Sequence, residues 1–260
     1  MIHPTAVIGD GAMIDPDCNI GPFCIISANA KVGAGVRLHN NVTLMGDVTL
    51  GAGCEVFPFA VLGAPAQHIR ADKTGAKLIL GEKCIVREHV TMHAGTALGD
   101  GATRIGDRGL FMACAHVAHD CRLGNDVIMT NYAGVGGHSL VGDNVNFGAA
   151  AITHQHTRIG RGAFLGQGAV VNGDVIPFGM VVGNPARLAG LNIVGLKRRG
   201  FSRETIHQMR AAYRALFAHE GTFQERLEEA SLLYTAHPEI REILDFIRVD
   251  AERALCFPDD

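Results

Sequence analysis

The sequence predicts a parallel β-solenoid followed by a short helical region, on three observations. An aliphatic residue recurs at every sixth position without a miss, in Ile8, Ile14, Ile20, Ile26, Val32, Leu38, Leu44, Leu50, Val56 and Leu62. A column of small residues runs four places behind it, in Ala12, Cys18, Cys24, Ala30, Val36, Val42, Val48, Cys54 and Ala60. Beyond Leu191 the spacing of apolar residues turns helical. A helix repeats at about 3.6 residues and a strand at 2, so neither yields a strict six. A coil with three flat faces, each six residues wide, does.

The first array, 8–62, is read as prism wall: large aliphatics fill the lumen and small residues pack beside them. Glycine follows the aliphatic where the backbone bends between faces, as in Ile20-Gly21 and Val141-Gly142. Between Leu62 and Leu80 the period asks for aliphatics at His68 and Thr74 and finds none, which predicts a loop over 63–79. The repeat resumes at Leu80, Val86, Met92 and Leu98, then slips by one residue, which predicts a second, shorter loop at 99–104. It continues through Ile105, Phe111, Val117, Leu123, Met129, Val135, Val141 and Phe147, lapses at Thr153, and runs on in Ile159, Leu165 and Val171. An end near 177–185 divides the chain into a solenoid, 1–190, and a helical domain, 191–260.

Three amphipathic helices follow. Ser202 is a good N-cap for one carrying Ile206, Met209, Tyr213, Leu216 and Phe217 on a single face. Gly221-Thr222 separates it from a second with Phe223, Leu227, Ala230 and Leu233. His237-Pro238 opens a third with Ile240, Ile243, Leu244, Ile247, Ala251 and Leu255. Helices this small cannot build a large core alone, so they are expected against the solenoid's end, neighbouring subunits, or both.

A hydrophobic fraction of 47% and 33 Gly suit a compact, soluble solenoid. A formal charge of −3 argues against a nucleic-acid binder. The chain has no long apolar run, so no transmembrane segment is expected, and the repeat begins almost at residue 1, so no signal peptide is either. The seven Cys fall mostly in the small-residue column, which reads as buried small hydrophobes rather than disulfides or zinc ligands. The cytoplasm is the expected location.

The chemistry concentrates in Phe111–Gly124, where His116 and His119 are followed by Asp120. One coil on lie Gly137 and His138, and another coil on lie His154 and Gln155, so a column of imidazoles is expected along one edge. A single His here reads as a turn residue. Four, with a carboxylate beside them, read as a site, and the two loops add to this because long loops on rigid scaffolds carry function.

Ile20-Gly-Pro-Phe-Cys-Ile25, Ala115-His-Val-Ala-His-Asp-Cys121 and Leu191-Asn-Ile-Val-Gly-Leu-Lys-Arg-Arg-Gly-Phe-Ser-Arg203 together resemble the UDP-N-acetylglucosamine O-acyltransferase family. The resemblance implies a left-handed β-helix, a homotrimer, and transfer of a 3-hydroxyacyl group from acyl carrier protein to the sugar nucleotide's 3-hydroxyl in lipid A biosynthesis. It implies no metal and no cofactor beyond the carrier's own phosphopantetheine. His119 would be the general base, Asp120 its orienting partner and the Gly137 amide the oxyanion donor. His68, Arg70, His116, His138, His154 and Gln155 would contact the sugar nucleotide or shape its site. Asn192, Arg198 and Arg199 would bind the nucleotide or the phosphopantetheine.

Three positions depart from the family's pattern: His68 stands for an Asp, Val194 for a Glu and Gln167 for a Gly. His68 opens the possibility of N-acylating a UDP-2-acetamido-3-amino sugar. Gln167, an acyl-chain ruler by resemblance, predicts a donor of about twelve carbons or fewer, since each excluded methylene loses about 0.8 kcal/mol. The alternative of another class is a zinc-dependent carbonic anhydrase of γ type, a trimeric β-helix that ligates metal through His. Metal content separates the two. A non-catalytic solenoid would not gather His and Asp on one edge.

Overall fold

The computed structural model describes residues 1–70, 75–234, 236–249 and 251–259. Among them the strands form three sheets of nine, eight and ten members, parallel except for the last strand of the third, and these are the faces of a triangular prism. The first face begins with Val7–Ile8, the second with Met13–Ile14 and the third with Asn19–Ile20. Strands on each face pair one coil apart, as in Val7↔Ile25, Met13↔Lys31 and Asn19↔Arg37. The pattern follows from the side-chain period: in each two-residue strand the second residue points inward and the first points out.

The aliphatics of the repeat are the buried core, from Ile20 through Val171, with the small residues buried beside them. Each fully buried Leu or Ile contributes roughly 2 kcal/mol. Ile8 and Ile14 are only half-buried because the first coil has nothing beneath it. Cys18, Cys24, Cys54, Cys84 and Cys121 lie in the column as free buried thiols. Several donate to a carbonyl of the next coil, Cys24 Sγ to His39 O at 2.8 Å and Cys54 Sγ to Gly81 O at 3.1 Å. Thr153 faces inward despite its hydroxyl, which accepts from the Gly136 N–H at 3.1 Å.

Both insertions leave the prism at the same corner, between the first and second faces. The first runs from the strand Val61–Ala64 to the strand Lys77–Leu80; Thr74 lies outside the described residues. The second corrects the sequence reading. Leu98 does not fill the lumen but is 56% exposed, and residues 102–104 belong to the strand Ala102–Ile105. The loop therefore covers 94–101 and starts directly after His93. The chain steps from lumen residue Met92 to lumen residue Ile105 in a single turn of the corner.

After Val171 an antiparallel hairpin, Gly179–Gly183 with Ala186–Leu191, extends the third face. Four helices follow: α1 (Ile193–Arg198), α2 (Arg203–Leu216), α3 (Phe223–Leu233) and α4 (Pro238–Arg248). The sequence reading lacked α1 and ran the last helix on to Leu255. Instead α4 stops at Arg248, and Leu255 pairs with Asp174 beside the last coil. Leu233, assigned to an inner face, is exposed. The Ser202 side chain caps α2 by accepting from the Thr205 N–H at 3.0 Å. The helices pack on their own solenoid: Arg161 pairs with Glu242 at 2.6 Å, and Arg158 lies 4.5 Å over the Phe246 ring. No helix is long and apolar enough to cross a membrane among the described residues.

Candidate active site

The corner that carries both loops also carries the imidazoles. Asp120, His138 and His156 occupy the same place in three successive coils, each with φ near +60° (60°, 59° and 61°). Asp and His tolerate this left-handed conformation better than bulkier residues, and it turns their side chains outward. The sequence reading placed one column through 119, 137 and 155. The structure has two adjacent columns, His119–Gly137–Gln155 and Asp120–His138–His156, and the second includes a histidine that reading had missed.

His119 is buried outside the lumen, with Nδ1 2.8 Å from Asp120 Oδ2. Asp120 is held in turn by the second loop. Its Oδ1 accepts from the Thr96 N–H at 2.8 Å and its Oδ2 from the Thr96 hydroxyl at 2.7 Å. Its own N–H donates to Thr103 Oγ1 at 2.8 Å. Gly99 presses so closely that a β-carbon there would lie 2.5 Å from Asp120 Oδ1. An ionised carboxylate only accepts, so His119 carries its proton on Nδ1 and keeps a lone pair on Nε2. Gly137 lies under that atom: a β-carbon at 137 would sit 2.9 Å from His119 Nε2. Among the described residues nothing accepts from the Gly137 N–H.

Around this pair the other imidazoles crowd edge to edge. His68 approaches the His119 ring at 5.4 Å, His138 approaches it at 5.1 Å, and His93 approaches His116 at 5.1 Å. His116 Nδ1 lies 2.8 Å from Thr91 Oγ1. Burial first, and then the neighbouring His116 and His119, push His93 down to about 4. Burial likewise lowers His116, with His119 adding to it. Burial also lowers His138, against the pull of Asp120 3.7 Å away. The site thus keeps His93, His116 and His138 neutral at pH 7. Sequence reasoning missed His93, whose only signal was its place beside lumen residue Met92, and Thr96.

His68, His116, His119, Gly137, His154 and Gln155 surround one cavity of about 370 Å³. The other expected site residues are elsewhere on the same chain. Arg70 is exposed on the first loop, its N–H donating to His68 Nδ1 at 3.2 Å. Asn192, Arg198 and Arg199 line a second pocket of about 550 Å³ against the third face, beside its corner with the second. Asn192 caps α1, its Oδ1 accepting from the Gly195 N–H at 2.9 Å and its amide donating to Gly162 O at 3.0 Å. Arg199 donates to Gly162 O at 3.3 Å while its buried Nε has no partner among the described residues. Burial and the charge of Arg161 lower its affinity for a proton. Val194 is exposed at the rim of this pocket. Gln167 is exposed at the remaining corner, between third and first faces.

His119, Asp120 and His138 each bring a ligand atom within 4.8 Å of the others, the spacing of a metal site. The donor set does not fit one. Asp120 Oδ2 already accepts from both Thr96 and His119, and His119 Nδ1 is the donor in that pair. A cation on Oδ2 would have to displace one of these two donors.

Residues 5–40 match the bacterial transferase hexapeptide (six repeats) model, and residues 174–256 match UDP N-acetylglucosamine O-acyltransferase, domain 2. The chain is 52% identical to acyl-[acyl-carrier-protein]–UDP-N-acetylglucosamine O-acyltransferase of Caulobacter vibrioides, covering 99% of this chain and 98% of that one. It is 48% identical to the Azorhizobium caulinodans enzyme of the same name, covering 99% and 95%. The crystal structure of UDP-N-acetylglucosamine O-acyltransferase from Moraxella catarrhalis superposes with a TM-score of 0.94 at 35% identity, over 98% of this chain and 99% of that one. The solenoid is accordingly a left-handed parallel β-helix. With half its residues identical over nearly the full length, the chain belongs to the acyl-[acyl-carrier-protein]–UDP-N-acetylglucosamine O-acyltransferase family.

Proposed function

We infer that the protein transfers a 3-hydroxyacyl chain from acyl carrier protein to the 3-hydroxyl of UDP-N-acetylglucosamine, a step of lipid A biosynthesis, with His119 as general base. The observation that carries the mechanism is the His119–Asp120 pair, its Nε2 lone pair facing the cavity above an uncommitted Gly137 N–H. His119 Nε2 takes the proton from the sugar hydroxyl as its oxygen attacks the thioester carbonyl. The tetrahedral oxyanion accepts from the Gly137 N–H, and the imidazolium is stabilised by Asp120. Collapse expels the pantetheine thiolate, which takes the proton back from His119. No metal or cofactor enters these steps.

Half-buried Arg199, whose buried Nε has no partner among the described residues, supports an anionic partner together with Arg198, and the nucleotide's phosphates fit. His68 is edge-on to His119, which supports its proposed contact with the acceptor end of the sugar. Gln167 is proposed to shorten the acyl groove. We propose a homotrimer because the three groups of site residues lie at different corners of one prism. The division into a solenoid to 190 and a helical domain beyond it is supported by the change from strand to helix between Leu191 and Ile193.

The test incubates purified protein with UDP-N-acetylglucosamine, its 3-amino analogue and 3-hydroxyacyl carrier proteins of graded length, with products read by mass spectrometry. The expected result is an ester of the 3-hydroxy sugar, with the shorter donors preferred. No transfer to the hydroxyl sugar, or a strong preference for the amine, overturns the reading.

A further inference from the structure

The chain's last segment returns to the site. After α4, residues 251–257 run along the final coil, pinned where Asp174 N–H donates to Ala254 O at 2.8 Å and Cys256 N–H donates to Asp174 O at 2.8 Å. From this strap two side chains reach the imidazole edge. Glu252 meets His156 Nδ1 at 3.0 Å, and His156 stacks on His138 with ring centres 4.6 Å apart and planes 7° from parallel. Arg253 makes a fork: its Nε donates to Gln155 O at 3.1 Å and its Nη2 lies 2.7 Å from His154 Nδ1.

A guanidinium has five N–H donors and no acceptor, and it does not lose its charge in proteins. The short contact therefore requires His154 Nδ1 to accept. The competing arrangement, a proton on Nδ1 donated to Gln155 O at 3.2 Å, would set two donors against each other at 2.7 Å. It would also compete for an oxygen that Arg253 Nε already uses. The ring proton is left on Nε2, and His154 lines the imidazole cavity. We propose that Arg253 is a positioning residue that locks His154 in its Nε2–H tautomer and so makes it a hydrogen-bond donor to an acceptor oxygen of one substrate.

This deepens, and rests on, the acyl-transfer reading. It assigns His154 the opposite role to His119: one ring is set by a carboxylate to take a proton, the other by a guanidinium to offer a hydrogen bond. It also gives the C-terminal strap a part in the site, through a contact nearly a hundred residues away in sequence.

Two measurements test it. In 15N-labelled wild-type protein, with His154 assigned by its loss in His154→Gln, Nδ1 should show the shift of an unprotonated ring nitrogen and Nε2 that of a protonated one. In kinetics, Arg253→Met should raise KM for one of the two substrates about tenfold, the scale of one lost hydrogen bond. Turnover and melting temperature should stay close to wild type. Arg253→Lys, which keeps a donor for Nδ1, should recover most of the loss, and the substrate whose KM moves names the oxygen's owner. A protonated Nδ1 in the wild type overturns the proposal, as does an unchanged KM in Arg253→Met. A wild type that transfers nothing to UDP-N-acetylglucosamine sinks the acyl-transfer reading instead, while the ring shifts still decide the tautomer.

Discussion

His119 and His93 sit within one cluster, yet their surroundings give them different work. His119 has a carboxylate on Nδ1 and an open Nε2, the arrangement of a general base. His119→Ala should lower turnover about a hundredfold or more, the usual loss of a general base. Its thermal unfolding should match wild type, because the ring lies outside the lumen; turnover within a few-fold of wild type would place the base elsewhere. His93 is buried, its Nδ1 has no partner among the described residues, and it is pushed from 6.5 down to about 4. In the unfolded chain it binds a proton below about pH 6.5, whereas in the folded protein it resists one until about pH 4. The unfolded state therefore holds more protons between these values. Stability is full above pH 6.5 and falls as the solution is acidified toward pH 4, by about 3 kcal/mol from this group. His116 and His138 are shifted in the same direction and add to the slope. Urea unfolding at pH 7 and pH 4.5 should show the drop in wild type and a clearly shallower one in His93→Gln. Equal slopes would assign the acid sensitivity to other groups.

The loop 94–101 acts as a clamp on Asp120 more than as a cover, since Thr96 supplies two of the hydrogen bonds that orient the carboxylate. Thr96→Val keeps the shape and the backbone bond but removes the hydroxyl. Turnover should fall about tenfold, the worth of one hydrogen bond to a charged acceptor, with little change in KM or melting temperature. A KM effect alone would mean that the loop touches substrate and does not act through Asp120. The boundaries of this loop show where reading the sequence stopped working. Nearly every lumen position is filled by a large apolar side chain, so the period of six, the Cys column and both interruptions were legible. Leu98, however, stands at the expected interval by coincidence and was counted as lumen, which displaced the loop by several residues. Thr153 was counted as a lapse and is lumen all the same, because a backbone N–H satisfies its hydroxyl. His116, His119, Asp120 and His138 were found because they cluster in sequence or one coil apart. Thr96 and Arg253 were not, because an inserted loop and a returning strap bring them in, and the period carries no information about either. His156 stood one coil beyond His138 and was passed over, and His93 had only its place beside Met92 in the strand Thr91–His93.

At the scale of the molecule, one prism holds the pieces of the site apart. The imidazole cavity is at the corner of the first and second faces, the Arg198–Arg199 pocket lies against the third, and Gln167 marks the corner of the third and first. A rigid solenoid cannot bend to bring its own corners together, whereas a threefold assembly sets one corner of each copy against a different corner of its neighbour. In the proposed trimer, a site built this way would take its base from one chain and the arginines proposed to bind phosphate from the next. Two inactive proteins, one carrying His119→Ala and the other Arg198→Ala with Arg199→Met, should then complement each other. When they are co-expressed in equal amounts and allowed to assemble at random, each interface has one chance in four of pairing an intact histidine corner with an intact arginine pocket. Activity should return to about a quarter of wild type, far above either parent, and the mixed species should sediment as a trimer. If each chain holds a complete site, mixing can only average two inactive parents. Activity no greater than that average would refute the shared site while leaving the His119 chemistry intact.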